Sequence, residues 1–307
     1  MTNNPPKNPL PYTTYSEYLQ RLFPGEKIQK ISINAGFSCP NRDGTIGRGG
    51  CIYCDNSSFT PSYCMTGDNA VSQLRAGKAF FGRKYPEMRF LAYFQSFTNT
   101  FTKEVSELEN LYRSVAEEEG VAGIIVGTRP DCLPEGVLEI LERIGKEMPV
   151  IVEIGAETSF DHTLQRINRR HTWGDVCNAV SNLAERGLHP GLHLICGLPG
   201  ETPDMMLQTT EKAATLPIET VKFHQMQVIK ETELARLWLN GEAEIHPFSL
   251  ESYLDFCEEV VKRIPSTIAI ERFLASAPPD KVLFPKWGIK NYQFVNLLHN
   301  RLCGVKN

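Results

Sequence analysis

The 307-residue sequence has no apolar stretch long enough to cross a bilayer as a helix, so it does not read as a helical membrane protein. It has no excess of either charge. The 32 basic and 36 acidic residues leave a net −4, which argues against a generally basic protein that coats nucleic acid and leaves room only for a local patch. Its start, Met1-Thr-Asn-Asn-Pro-Pro-Lys-Asn-Pro-Leu10, has no apolar core of a signal peptide. A cytoplasmic location is therefore expected, with thiols kept reduced rather than paired. There is no internal repeat, and no low-complexity segment beyond residues 1–14, which are polar, proline-rich and expected to be disordered. What remains is a chain long enough to bury a large core.

Three of its nine cysteines, Cys39, Cys51 and Cys54, fall within sixteen residues. Gly44, Gly47, Gly49 and Gly50 lie between the first two and let the segment fold back on itself. Three thiolates can hold a 4Fe–4S cluster and leave one iron open to a small molecule, whereas four close the site. A structural zinc site would need a fourth ligand, for which Cys64 is the candidate. Cys132, Cys177, Cys196, Cys257 and Cys303 stand singly among apolar residues, as packing cysteines do.

Strand patterns occur at 29–35, 89–95, 121–127, 149–155, 189–196 and 219–227. They alternate with helical patterns at 15–23, 69–84, 103–119, 134–147, 174–186, 203–215 and 231–240. A further helix near 249–263 and a possible strand at 266–272 follow. Alternation of this kind builds parallel βαβ units, and the expected architecture is α/β, a partial (β/α)6 TIM-like barrel over 15–245 with a C-terminal helical extension, 246–307, packed on it. Chemistry in such barrels gathers at the C-terminal ends of strands. Polar residues collect there in this sequence: Gln95, Thr98 and Asn99; Thr128 to Asp131; Glu153 and Glu157; Gly197 to Glu201; and His224, Gln225 and Gln227.

The run from Gly36 through Cys39-Pro-Asn-Arg-Asp-Gly-Thr45 to Gly50-Cys-Ile-Tyr-Cys54 resembles the cluster loop of radical S-adenosylmethionine (SAM) enzymes. Eleven residues separate the first two cysteines where the superfamily commonly has three. That long spacing, with Tyr53 before the last cysteine, is similar to the Elongator-catalytic-subunit-like branch and its short YhcC/YtqA-type members. The resemblance implies a 4Fe–4S cluster on Cys39, Cys51 and Cys54, SAM as cosubstrate, and its reductive cleavage to a 5′-deoxyadenosyl radical that takes a hydrogen atom from the substrate. It also implies a low-potential electron donor such as flavodoxin. For SAM it points to Gln95, Thr98 and Asn99 in place of the usual Gly-Gly-Glu run, to Glu153 for the ribose diol, and to Gly197 and Leu198 beside the adenine. The basic knot Arg166, Arg169, Arg170 and His171 offers Arg169 as a fork for the methionine carboxylate. An ion pair for Glu153, a tight turn at Gly197 and a solvated helix face for most of the knot are the plainer alternatives.

Substrate is less legible. Residues 281–307 carry five basic and no acidic residues, with Phe284, Trp287, Tyr292 and Phe294 interleaved. This suits either an RNA surface or a tail packed on the barrel. The resemblance favours transfer RNA and its wobble uridine. A small metabolite or a protein is the alternative substrate, and a non-catalytic zinc or iron–sulfur module the alternative class.

Overall fold

The computed structural model describes residues 9–55, 61, 63–64, 69–82, 87–275 and 277–304. At its centre, β4 (Val121–Thr128) and β5 (Val150–Glu157) are buried at every position. Strands apolar on both faces belong to a parallel sheet covered on both sides. They are flanked by β3 (Arg89–Phe94) and β2 (Ile28–Ile33) on one side, and by β6 (His189–Cys196), β7 (Thr220–Gln225) and β9 (Ala269–Arg272) on the other. The two-residue β1 (Thr13–Thr14) ends the sheet, whose order is β1-β9-β7-β6-β5-β4-β3-β2. Every pairing in it is parallel. Outside the sheet, β8 (Val228–Ile229) and β10 (Val282–Phe284) form a short antiparallel pair.

The connections are helices. They are α1 (Tyr15–Leu22), α2 (Ala70–Gly82), α3 (Val105–Ala116), α4 (Glu135–Gly145), α5 (Asp161–Arg166), α6 (Trp173–Glu185), α7 (Pro203–Ala214), α8 (Glu233–Leu239), α9 (Leu250–Arg263) and α10 (Asn291–Leu302). α4 shows why they lie where they do. Val137, Leu138, Leu141 and Ile144 are buried at helical spacing, one stripe facing the sheet. Starts are set by side chains: Thr14, Thr172 and Ser249 each form a capping box with the residue three further on.

The sheet curls into an open barrel. The sign of closure is the ion pair, 2.7 Å long, from Lys30 on β2 at one end of the sheet to Glu271 on β9, next to the other end. α1 closes the bottom, burying Tyr18 and the following Phe23 against Leu91, Ile125, Ile151 and Ala269 inside the barrel.

The six central strands stand within two residues of their expected limits. Two expectations change, and one left open is decided. Residues 12–14 are ordered parts of the fold: Tyr12 and Thr13 are buried, and Tyr12 Oη lies 2.7 Å from His299 Nε2. The expected disorder of residues 1–8 lies outside the described residues. The segment beyond 245 is more than helical, because β9 joins the barrel sheet beside β7. The C-terminal aromatics largely face inward. Phe294 is fully buried, Trp287 packs on Tyr253, and Phe284 stacks on Trp238, leaving only Tyr292 of the four exposed.

Candidate active site

Alternate residues of a strand face the lumen. Low in the barrel these are Lys30, Tyr93, Glu153, His193 and Lys222. Glu153 Oε1 accepts from Lys30 Nζ at 3.1 Å, and Oε2 from His193 Nε2 at 2.9 Å and from Lys222 Nζ. Glu271 joins both lysines, at 2.7 Å to Lys30 and 3.2 Å to Lys222. Burial opposes charge here, yet Lys222 and Lys30 hold the Glu153 carboxyl well below its ordinary range. Burial pulls Lys222 down to about 8. This charged layer is the floor of a cavity of about 250 Å³, lined also by His224, Arg272, Arg129, Glu157 and the three cysteines of the glycine-rich loop.

That loop forms the roof. Cys39 O accepts from the amides of Arg42 and Asp43, Pro40 O from those of Ile46 and Gly47, and Asn41 O from Gly50. The turns are then fastened to the segment after α5. Asn41 Nδ2 donates to Asn168 O at 2.6 Å, Asn168 Nδ2 to Gly50 O at 2.7 Å, and Arg170 Nη1 to Ile46 O at 3.3 Å. Asn168 and Arg170 both sit in the left-handed region, at φ 56° and 63°. Gly47 has no room for a side chain: a Cβ would stand 2.7 Å from Arg170 Nε and would strike Asn41 Oδ1.

Arg169 ties roof to wall. Its Nη2 donates to Gly155 O at 2.7 Å and lies 3.1 Å from Glu157 Oε1, its Nε meets His171 Nε2 at 3.0 Å, and its Nη1 stands 3.7 Å from Cys51 Sγ. Burial and Arg169 together push His171 down to about 3, so the imidazole is neutral. Arg129 is clamped by Asp131 at 2.9 and 2.8 Å and by Arg169 O at 2.9 Å, while its Nη1 is buried with no partner.

The family model described as the Radical SAM superfamily matches residues 39–213, more than half of the chain. The chain belongs to the radical SAM superfamily. The Radical SAM C-terminal domain model matches 218–303. Protein YhcC of Escherichia coli K12 is 36% identical over 264 residues, covering 86% of this chain and 83% of that protein. The tRNA uridine(34) acetyltransferase of Methanocaldococcus jannaschii is 27% identical over 185 residues, 59% of this chain and 33% of the relative. Among solved structures, the Methanocaldococcus infernus Elp3 lacking its N-terminus shares the fold, with a TM-score of 0.66 at 16% identity. That match covers 92% of this chain and 64% of the archaeal one. The chain is thus a radical SAM enzyme with the curled barrel of that superfamily, and its cofactors are a 4Fe–4S cluster and SAM.

The residues present fit both groups. Three thiols from one loop line one cavity. Burial and the neighbouring Cys51 push the Cys54 thiol up to about 11, a crowding that iron would relieve. Among the described residues no three His, Cys, Asp or Glu side chains are placed to hold a single metal ion. Cys64 is no fourth ligand to the triad, since its Sγ donates to Ser32 O at 3.1 Å and is absent from the cavity wall. For SAM, Arg129 Nη1 and Gln227 Oε1 are buried polar atoms without partners on residues that line the cavity.

Of the SAM contacts expected from sequence, Tyr53, Gln95, Thr98, Glu153 and Arg169 line the cavity, whereas Asn99, Gly197 and Leu198 do not. Asn99 is a bracket. Its Nδ2 donates to Phe94 O and Gly127 O, joining the ends of β3 and β4. Leu198 is fully buried behind Met226, and it is Met226 that reaches the cavity. The plainer alternative is what Glu153 shows, since both its oxygens are taken by Lys30, Lys222 and His193. The solvated-face alternative fails for Arg169 and His171, which are buried.

Lys30, Lys222, His193 and Arg272 were not singled out from the sequence as site residues. The signal was there in Val221-Lys222-Phe223-His224, where polar residues take every second position of a strand whose neighbours are apolar. A central parallel strand patterned in this way has a polar lumen on one side.

Proposed function

We propose that this radical SAM enzyme modifies transfer RNA at the side chain of the wobble uridine, drawing electrons from a low-potential donor of the flavodoxin type. The observation that carries this reading is Phe97. It stands at the cavity wall in the left-handed region at φ 62°, remains 37% exposed, and has the Arg42 guanidinium 5.9 Å from its ring. An exposed aromatic face beside a guanidinium is the pairing that stacks on a base while meeting its phosphate. The likeness to a tRNA uridine(34) acetyltransferase supports the same class of substrate.

In this reading Cys39, Cys51 and Cys54 hold the cluster, with Arg169, Arg42 and Asn41 directing N–H groups at the sulfurs of Cys51 and Cys54. Arg129, whose fork is fixed by Asp131, meets the methionine carboxylate. Gln95 and Thr98 face the amino group. Tyr53 and Met226 give the adenine an apolar wall. Together the bound cluster and SAM supply reductive cleavage of the sulfonium and the hydrogen-atom abstraction that follows. The chain's own task is to position the substrate C–H and keep water out.

The test is 5′-deoxyadenosine formation by anaerobically reconstituted protein with dithionite and SAM, with and without bulk tRNA. Stimulation by tRNA, weakened about tenfold in affinity by Phe97→Ala and steeply by salt, is expected. Formation indifferent to tRNA would move the reading to a small metabolite or a protein. That second reading is favoured by one observation, the inward packing of Phe284, Trp287 and Phe294, which withdraws them from any base.

A further inference from the structure

Four arginines line the cavity: Arg42, Arg129, Arg169 and Arg272. Two are matched by carboxylates, Arg129 by Asp131 and Arg169 by Glu157. Arg42 is directed at Cys54 Sγ, 3.5 Å away. Arg272, the last residue of β9, has no such partner. It makes no ion pair with a described carboxylate, its Nη2 lies 3.1 Å from His224 Nε2, and its Nε is buried without a hydrogen bond. His224 in turn lies against His193, ring centres 5.5 Å apart. Burial and the nearby cations hold both imidazoles below their ordinary range, hence neutral. In this floor Lys30 and Lys222 are matched by two carboxylates, Glu153 and Glu271, and Arg272, beside His224, is a third cation without one. One positive charge is left over, and it opens onto the cavity.

We propose that the deep end of the cavity is an oxyanion subsite, in which Arg272, flanked by His224 and His193, holds a carboxylate or phosphate group of the substrate. The proposal rests on reading this cavity as the substrate site of the radical SAM enzyme. A guanidinium desolvated on one side and unmatched in charge costs stability unless an anion meets it. The subsite thereby restricts the substrate to a molecule or nucleotide side chain that carries such a group.

The test uses holo-protein with its cluster reconstituted and SAM saturating. It is titrated with acetate or inorganic phosphate at an ionic strength held constant with chloride, and the unfolding midpoint is read. One of the two anions is expected to raise the midpoint of the unaltered protein, to act about tenfold more weakly on R272K, and to leave R272Q unmoved, with cluster absorbance retained in both variants. A stronger response to acetate assigns a carboxylate to the substrate, and a stronger response to phosphate assigns a phosphate. Equal responses in the unaltered protein and R272Q, or no response beyond that to chloride, overturn the subsite. R272K carries the comparison if R272Q does not fold. Absence of tRNA stimulation with an intact anion response would sink the RNA reading alone. Intact tRNA stimulation with no anion response would sink the subsite alone.

Discussion

At the bottom of the barrel, charges complete one another. Lys30 and Lys222 share Glu153 and Glu271, His193 closes the last oxygen, and α1 seals the layer beneath with Tyr18 and Phe23. At the top, side chains are held in place for something else. The Cys39–Cys54 loop is braced from outside by Asn168, Arg169 and Arg170, yet its thiols crowd one another and Arg129 keeps a buried N–H unused. The Lys30–Glu153–Glu271–Lys222 layer therefore serves the fold, and the cavity above it, Arg272 included, serves chemistry. A change within that layer should unfold the protein, and a change above it should silence the protein while it stays folded.

The largest effect tests the upper half. Cys51→Ala or Cys54→Ala is expected to abolish both the visible absorbance of the cluster and SAM cleavage, while the cluster-free protein unfolds within about 1 kcal/mol of the unaltered chain. Cleavage at normal rates by either variant would show that the cluster lies elsewhere. Glu153→Gln tests the lower half. It leaves the buried Lys222 and the half-buried Lys30 facing a neutral amide, and a loss of about 3–5 kcal/mol in urea unfolding is expected. A loss under about 1 kcal/mol would mean that the floor is not what holds the barrel shut.

A pH dependence separates the regions further. Folded His171 stays neutral down to about 3, while the unfolded chain takes up a proton near 6.5. The unfolded state thus binds the extra proton, and stability falls as pH drops from about 6.5 toward 3. His171→Asn should flatten that slope in denaturant titrations at pH 7 and pH 5, and an unchanged slope would assign the acid sensitivity to the other buried imidazoles, His193 and His224, or to carboxylates. The smallest effect is expected at the surface. Arg301 is paired with Glu251, Asp255 and Glu258 on α9, and Arg301→Ala should cost no more than about 1 kcal/mol. A larger loss would mean that α10 is held by charge as well as by Phe294 and Leu298.

The strands and the cysteine triad were legible because their signals are local. Val-Ala-Gly-Ile-Ile-Val is apolar within one window, and the triad lies in one loop. The floor was not legible as a unit because its pairs are remote: Lys30 and Glu153 are 123 positions apart, and Lys222 and Glu153 are 69. Glu153 read as a binding carboxylate because a single sequence displays the acid without the two lysines that claim it. Asn99 was half legible for a related reason: its Nδ2 braces the sheet, while its Oδ1 is buried without a partner. An amide at a strand end looks ready for a ligand until its contacts with Phe94 and Gly127 are seen. The knot at 166–171 read as a carboxylate fork at Arg169, with a solvated helix face as the alternative for most of it, and its bracing of the cysteine loop was not legible because nothing local announces that Asn168 and Arg170 turn the backbone left-handed.

The Lys30–Glu271 pair carries one more consequence. Its partners are 241 residues apart, and Thr13 pairs with Ala269 across a similar interval. A ribosome making this chain delivers the cysteine loop early and the last wall of the barrel late. Until β9 emerges, Lys30 lacks one of its two carboxylates and the lumen stays open to water and oxygen. A chain cut short before residue 269 therefore has the three cysteines but lacks the β9 wall of the chamber around them.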